Sequence, residues 1–189
     1  MKLTRETQKK ATEIFKQAKA AGRQMLFEHE VYALLNTVGL STPKYCLIKD
    51  ETQIDKTLLE PFGREVVVKV VSSDIAHKAK LGGVKRILTY DELFVKFVVS
   101  EMRKTVLSHF DDQNKPKIDG FLLVEAVNFR ESLGYEIMMG MSLDRDFGPV
   151  MSLSKGGDDA EFFAKYYDPA NLFLPHVTEE AAKEMVKGI

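Results

Sequence analysis

A chain of 189 residues has room for one large domain or two small ones, and at that size folding buries roughly 70% of the surface exposed by the unfolded chain. Hydrophobic residues make up 44% and charged residues 29%, with 12 Gly and 6 Pro, which excludes a wholly disordered, collagenous or coiled-coil chain. The 27 basic and 28 acidic side chains leave a net charge of −1, so no global field draws the protein onto nucleic acid or anionic lipid.

The one cysteine, Cys46, cannot form an internal bridge and sits in an apolar run, as expected of a buried thiol in a reducing compartment. The amino terminus lacks the apolar core of a signal peptide. No stretch approaches the roughly 18 apolar residues of a membrane span. A cytoplasmic location is expected.

In chain order, residues 4–20 are predicted helical, with Ala11, Ile14, Phe15 and Ala18 on one face. A second helix is expected over 26–38, ended by Gly39. Residues 44–48 read as a short strand. Asp50 and Gln53 resemble a capping box for a helix running through Leu58 and Leu59. The valine-rich segment 65–71 is the strongest strand, followed by a loop of about a dozen residues and a strand over 84–89. Asp91 is expected to open a long helix to Phe110, with Leu93, Phe94, Phe97, Val98, Met102 and Val106 as its apolar positions. Strands follow over 121–127, 135–141 and 149–153, then helices near Glu161 and over 179–187. The order is not strict βαβ alternation, so an α+β or mixed α/β fold is expected and a doubly wound sheet is not.

Lys69 interrupts the valines of its strand. An ammonium there costs several kcal/mol, to order of magnitude, unless an anion meets it. It either snorkels from an edge strand or is aimed at a bound phosphate. The loop after it carries His77, Lys78 and Lys80 and ends in Gly82 and Gly83, residue types that can surround an anion. His77 is the one histidine in such a setting; His29, His109 and His176 are expected at the surface. An imidazole in a phosphate loop can carry phosphoryl on nitrogen. Glu125 ends an apolar strand and Glu136 interrupts another, and each needs a partner if buried. Calcium-loop, nucleophile-elbow and zinc spacings are all absent, and no aromatic residues are interleaved with a basic face.

The run from Val67 to Lys78 with Gly82-Gly83-Val84 resembles the ATP-grasp domain of NDP-forming acyl-CoA synthetases. These are the β-subunit type of ADP-forming acetyl-CoA synthetase, related to succinyl-CoA synthetase. The segment from Gly134 to Met141, Asp144, and Phe147-Gly148-Pro149-Val150 resemble the next block of that family, and Glu28-His29-Glu30 through Pro43 its amino-terminal helix and turn. The resemblance implies an α+β ATP-grasp fold: a small N-terminal α/β subdomain plus a mixed or antiparallel nucleotide-binding sheet. Residues 1–25 would form a leading helix and 26–189 the domain, with a subdomain break near 84–119.

By the same resemblance Lys69 would hold nucleotide phosphate, with Gly82 and Gly83 in the loop over it. Glu125, Ala126 and Val127 would form the adenine hinge, Glu136 would meet the ribose, and His77 would relay phosphoryl. ATP or ADP and Mg²⁺ are the implied cofactors. A CoA-binding α-type subunit or domain is the implied partner, and an oligomer the implied assembly. The metal ligands are unknown, because the family supplies them in segments expected beyond Ile189. The family's Gly-Leu-Gly-Gly turn reads Ser154-Lys155-Gly156-Gly157 here, which leaves open a non-catalytic nucleotide-binding module. Another ATP-grasp carboxylate ligase is the further alternative.

Overall fold

The computed structural model describes residues 4–130, 135–157, 171–174 and 177–187. The chain divides into two units, Met1–Val127 and Asn128–Ile189. Everything from the second strand to the fourth packs into one core within the first unit.

In the first unit, helix α1 (Arg5–Ala20) is capped by Thr4, whose hydroxyl accepts from the Thr7 N–H. Helix α2 (Glu28–Thr37) follows. Strand β1 (Tyr45–Ile48) leads to a 3₁₀ turn (Glu51–Gln53) and the short helix α3 (Lys56–Leu59). The single helix expected from the Asp50/Gln53 pattern is therefore broken in two. Gln53 spends its side-chain oxygen on the Lys49 N–H at 2.6 Å, and Asp55 starts α3 by accepting from the Leu58 N–H at 2.7 Å. Strand β2 (Glu65–Val71), β3 (Val84–Leu88), helix α4 (Glu92–Leu107) and β4 (Gly120–Glu125) complete the unit.

The sheet order is β1-β4-β2-β3, with every pair antiparallel. β2 is therefore an interior strand, not the edge strand that a snorkelling Lys69 would need. Side chains alternate across it. Val66, Val68 and Val70 are buried in the main core with Val95, Val99, Met102 and Val106 of α4. The other face gathers Val71, Leu122 and Val124, with Phe27, Tyr32, Tyr45 and Val67 against them. Both faces of the valine strand are covered, as its composition suggests, and each fully buried valine contributes about 1.5–3 kcal/mol.

Helix α4 turns three of the expected positions inward, Val98, Met102 and Val106, but adds Val95 and Val99 in place of Leu93, Phe94 and Phe97. Val95, Val98, Val99, Met102 and Val106 are buried, while Leu93 and Phe97 are 67% and 61% exposed. At 3.6 residues per turn, those two project about 160° away from Val95. Tyr90 stacks on Phe94 outside, ring centroids 6.3 Å apart.

The second unit holds a β-hairpin, β5 (Ile137–Asp144) with β6 (Gly148–Lys155), to which β7 (Asn171–Phe173) adds, and helix α5 (Glu179–Lys187). Asp144 makes the hairpin turn. Its carboxylate accepts from the N–H groups of Asp146 and Phe147 at 2.9 and 3.0 Å. The helix expected near Glu161 lies outside the described residues. Among the described residues no helix is long and apolar enough to cross a membrane.

Candidate functional site

Alternation along β2 puts Lys69 on the face carrying Val67 and Val71, under the start of α2. Its Nζ donates to Glu28 Oε1 at 2.5 Å, with the two side chains only 23% and 24% exposed. The same oxygen accepts from the Tyr32 hydroxyl at 2.6 Å, one helical turn further along α2. The second oxygen, Oε2, lies 3.9 Å from Lys78 Nζ. One carboxylate thus stands between two ammonium groups and a phenol.

The balance of forces follows from these distances. Burial alone would raise the Glu28 carboxyl, but the hydrogen bonds from Lys69 and Tyr32 and the charges of Lys69 and Lys78 outweigh it and hold it below its ordinary value. Burial, together with the charge of Lys69, pushes the Lys78 ammonium down despite Glu28. Burial and the neighbouring carboxylate push the Tyr32 phenol up.

The start of α2 is held rigidly. Arg23 forms a bidentate pair with Glu30 at 2.6 and 2.5 Å and lies over the Phe27 ring at 4.0 Å. Glu30 also accepts from the Phe27 N–H at 2.7 Å, which closes the first turn. His29, expected at the surface, is half-buried against Phe27, and its Nδ1 is buried without a hydrogen-bond partner.

The loop after β2 folds on itself. A 3₁₀ turn (Lys78–Leu81) ends at Gly82, whose φ of +76° favours glycine. The Gly82 N–H donates to the Ala79 carbonyl at 3.1 Å and the Gly83 N–H to the Lys78 carbonyl at 2.7 Å. Both N–H groups are thus committed within the turn. A Cβ on Gly83 would stand 2.8 Å from the Lys78 carbonyl oxygen, so this close approach needs glycine. His77 immediately precedes the turn and is exposed.

A groove of about 670 Å³ runs between residues 21–28 and 71–76. Glu28 and Lys78 both line it, and Lys69 does not. Ser72 and Asp74 shape its floor: Ser72 Oγ donates to the Lys117 carbonyl at 2.6 Å, and Asp74 accepts from the Lys117 N–H at 2.9 Å.

Of the remaining expected residues, Glu125 shares the sheet with Lys69. Glu125 opposes Val66 in the β2–β4 register, whereas Lys69 opposes Leu122. The Glu125 side chain is therefore on the opposite face of the sheet from Lys69, about 10 Å further along the strand. Its Oε2 accepts from the Lys44 N–H at 3.0 Å, the partner its position demanded. Ala126 is half-buried and Val127 exposed, with the Val127 N–H donating to the Glu125 carbonyl at 3.0 Å. Glu136 does not interrupt a strand, because β5 begins one residue later; it is exposed, and its carbonyl accepts from the Gly156 N–H at 2.8 Å. Among the described residues no group of three or more His, Cys, Asp or Glu gathers where it could hold a metal ion.

Sequence reasoning missed Glu28 as a site residue. The signal was indirect: a lysine among buried valines requires an anion, but that anion lies 41 residues away.

The family model described as ATP-grasp domain matches residues 17–189. The chain belongs to the ATP-grasp family. The β subunit of acetate–CoA ligase (ADP-forming) I of Pyrococcus furiosus is 30% identical to this ATP-grasp chain over 180 residues, covering 95% of the chain and 72% of that subunit. The 4-hydroxybutyrate–CoA ligase (ADP-forming) of Nitrosopumilus maritimus is 34% identical over 181 residues, again 95% of the chain but only 24% of the longer relative. The chain thus spans about a quarter of the one and most of the other.

The fold agrees. An acetyl-coenzyme A synthetase of Ca. Korarchaeum cryptofilum, solved with coenzyme A and Ca-AMPCP, superposes with a TM-score of 0.77 at 27% identity, covering 94% of this chain and 72% of that one. The same enzyme with a phosphorylated phosphohistidine segment gives 0.74 at 25% identity, covering 95% and 72%. The ATP-grasp fold expected from the sequence is the fold observed.

Proposed function

We propose that the chain is the nucleotide-binding part of an ADP-forming acyl-CoA synthetase. The overall reaction is acid + CoA + ATP to acyl-CoA + ADP + phosphate, and its reverse, carried out with a CoA-binding subunit or domain. The observation that carries the reading is the pair of lysines, Lys69 and Lys78, gathered on Glu28 beside the Gly82–Gly83 turn. It occurs in a chain whose curated relatives are ADP-forming CoA ligases.

Lys69 supplies charge to the nucleotide phosphates, and the turn with Gly82 and Gly83 covers them. Residues 125–127 provide backbone groups for adenine, and Glu136 a carboxylate for ribose hydroxyls. Mg²⁺ bound with the nucleotide would supply further charge neutralisation on the phosphates. His77, exposed at the head of the turn, takes phosphoryl from a phosphohistidine of the partner and passes it to the terminal oxygen of ADP. Positioning and charge neutralisation carry such a transfer.

The chain combined with a CoA-binding α-type subunit, acetyl-CoA, ADP, Mg²⁺ and phosphate is expected to form ATP, and His77→Ala to abolish it. ATP formation unchanged by His77→Ala would remove the relay. A second reading, nucleotide binding without phosphoryl transfer, is favoured by Ser154, which occupies a β6 position opposite Met138 where the family has a glycine. Bound nucleotide with no ATP formed in the complete mixture selects that reading.

A further inference from the structure

Glu28 touches both lysines and lines the groove, while Lys69 lies behind it. An anion travelling along the groove therefore meets the carboxylate before it meets the Lys69 ammonium. Glu28 Oε1 already accepts from Lys69 and Tyr32, and Oε2 points toward Lys78 without closing a hydrogen bond, at 3.9 Å. Like charges at such range repel strongly in a half-buried setting. A phosphate and this carboxylate cannot both sit on Lys69 at low cost.

We propose that Glu28 is an exchangeable counter-ion, occupying Lys69 in the empty protein and swinging onto Lys78 when a nucleotide's phosphates take its place. The inference rests on the reading of Lys69 as the phosphate-binding group. The swing breaks the Oε1 bond to Lys69 and closes the 3.9 Å Oε2–Lys78 gap, while the Arg23–Glu30 pair holds the start of α2. Each ammonium keeps an anionic partner throughout, so neither is stranded in its apolar surroundings. Glu28 thereby sets the charge of the empty site: two ammonium groups and one carboxylate carry a net +1 instead of +2. It thus selects for ligands charged enough to displace it, such as a diphosphate, over weaker monoanions.

The test is calorimetric titration of the 189-residue chain with ADP and with inorganic pyrophosphate. It compares the native chain with Glu28→Gln, Tyr32→Phe and Lys69→Met, each checked for its melting transition. Glutamine keeps acceptors for Lys69 and Tyr32 but carries no charge, so Glu28→Gln is expected to bind both ligands more tightly, by roughly fivefold or more. Tyr32→Phe removes one of the two donors holding Glu28 on Lys69, and it too is expected to tighten binding. It keeps the test decisive if Glu28→Gln folds poorly. Binding that is unchanged or weakened in both variants while Lys69→Met still loses it overturns the exchange and leaves the nucleotide site standing. Binding undiminished in Lys69→Met overturns the nucleotide-site reading itself.

Discussion

Lys69 and Glu28 illustrate how a single residue's needs propagate. A lysine placed among buried valines is stable only with an anion in contact, and β2's interior position removes the route to water that an edge strand would offer. Lys69→Met leaves Glu28 half-buried with Tyr32 and the distant Lys78, and is expected to cost about 1–3 kcal/mol in a denaturant melt. Glu28→Gln keeps hydrogen-bond acceptors but leaves two part-buried ammonium groups without their anion, and should cost at least as much. No loss in either variant would mean that the pair contributes nothing.

One member of this pair, Glu28, and the adjacent His29 also tie stability to pH. The Glu28 carboxyl is held below 4.5 when folded. Its contribution is therefore present above that value and lost as pH falls through the folded one. Burial lowers the His29 imidazole below 6.5, with Arg23 acting in the same sense and Glu28 and Glu30 opposing. The unfolded chain then takes up a proton that the folded one resists, so stability falls as pH drops below about 6.5. Melts between pH 7 and pH 5 should show this decline in the native chain and a smaller one in His29→Gln. Equal declines would assign the effect to other groups.

At the scale of elements, the turn before β3 and the face of α4 make separate demands. Gly82→Ala forces a side chain into a left-handed conformation and places its Cβ 3.2 Å from Thr105 Cγ2, an expected loss of about 1–2 kcal/mol. Gly83→Ala must displace the Lys78 carbonyl and so is expected to lower nucleotide affinity as well as the melting temperature. On α4, Met102→Ala should cost about 2–5 kcal/mol, while Phe97→Ala should stay within about 0.5 kcal/mol. Similar losses in the two would contradict the orientation of the helix.

These elements also mark what the sequence made legible. β2 and β4 are nearly pure runs of buried β-branched and aliphatic residues, so their existence could be read directly. α4 was legible as a helix, but only part of its inward stripe was, because apolar residues occur on both of its sides and only the packed sheet chooses between them. The 50–59 segment was misread because Gln53 accepts from the Lys49 N–H, one residue before the cap, and Asp50 caps only a 3₁₀ turn. The loop bearing Lys78 and His77 could be picked out by composition. Its partner Glu28 could not, since nothing local to α2 distinguishes a carboxylate that faces a lysine from one that faces water.

For the molecule as a whole, the two units differ in how much they bury. Among the described residues, every buried hydrophobic side chain except Met185 belongs to the first unit. In the second, Met139, Met141 and Leu143 of β5 are 62%, 76% and 82% exposed. Residues 1–127 alone are therefore expected to melt in one cooperative transition, observable by circular dichroism. A chain of that length lacking such a transition would show that its core depends on the remainder.

Whether Lys69 answers to a nucleotide's phosphates can be decided by calorimetric titration with Mg-ATP. The native chain is expected to bind at one saturable site, with nucleotide at a hundred times its dissociation constant adding about 2.7 kcal/mol of stability, and Lys69→Met is expected to lose both effects. Equal affinity in the two chains, or no heat of binding in the native one, would contradict the account.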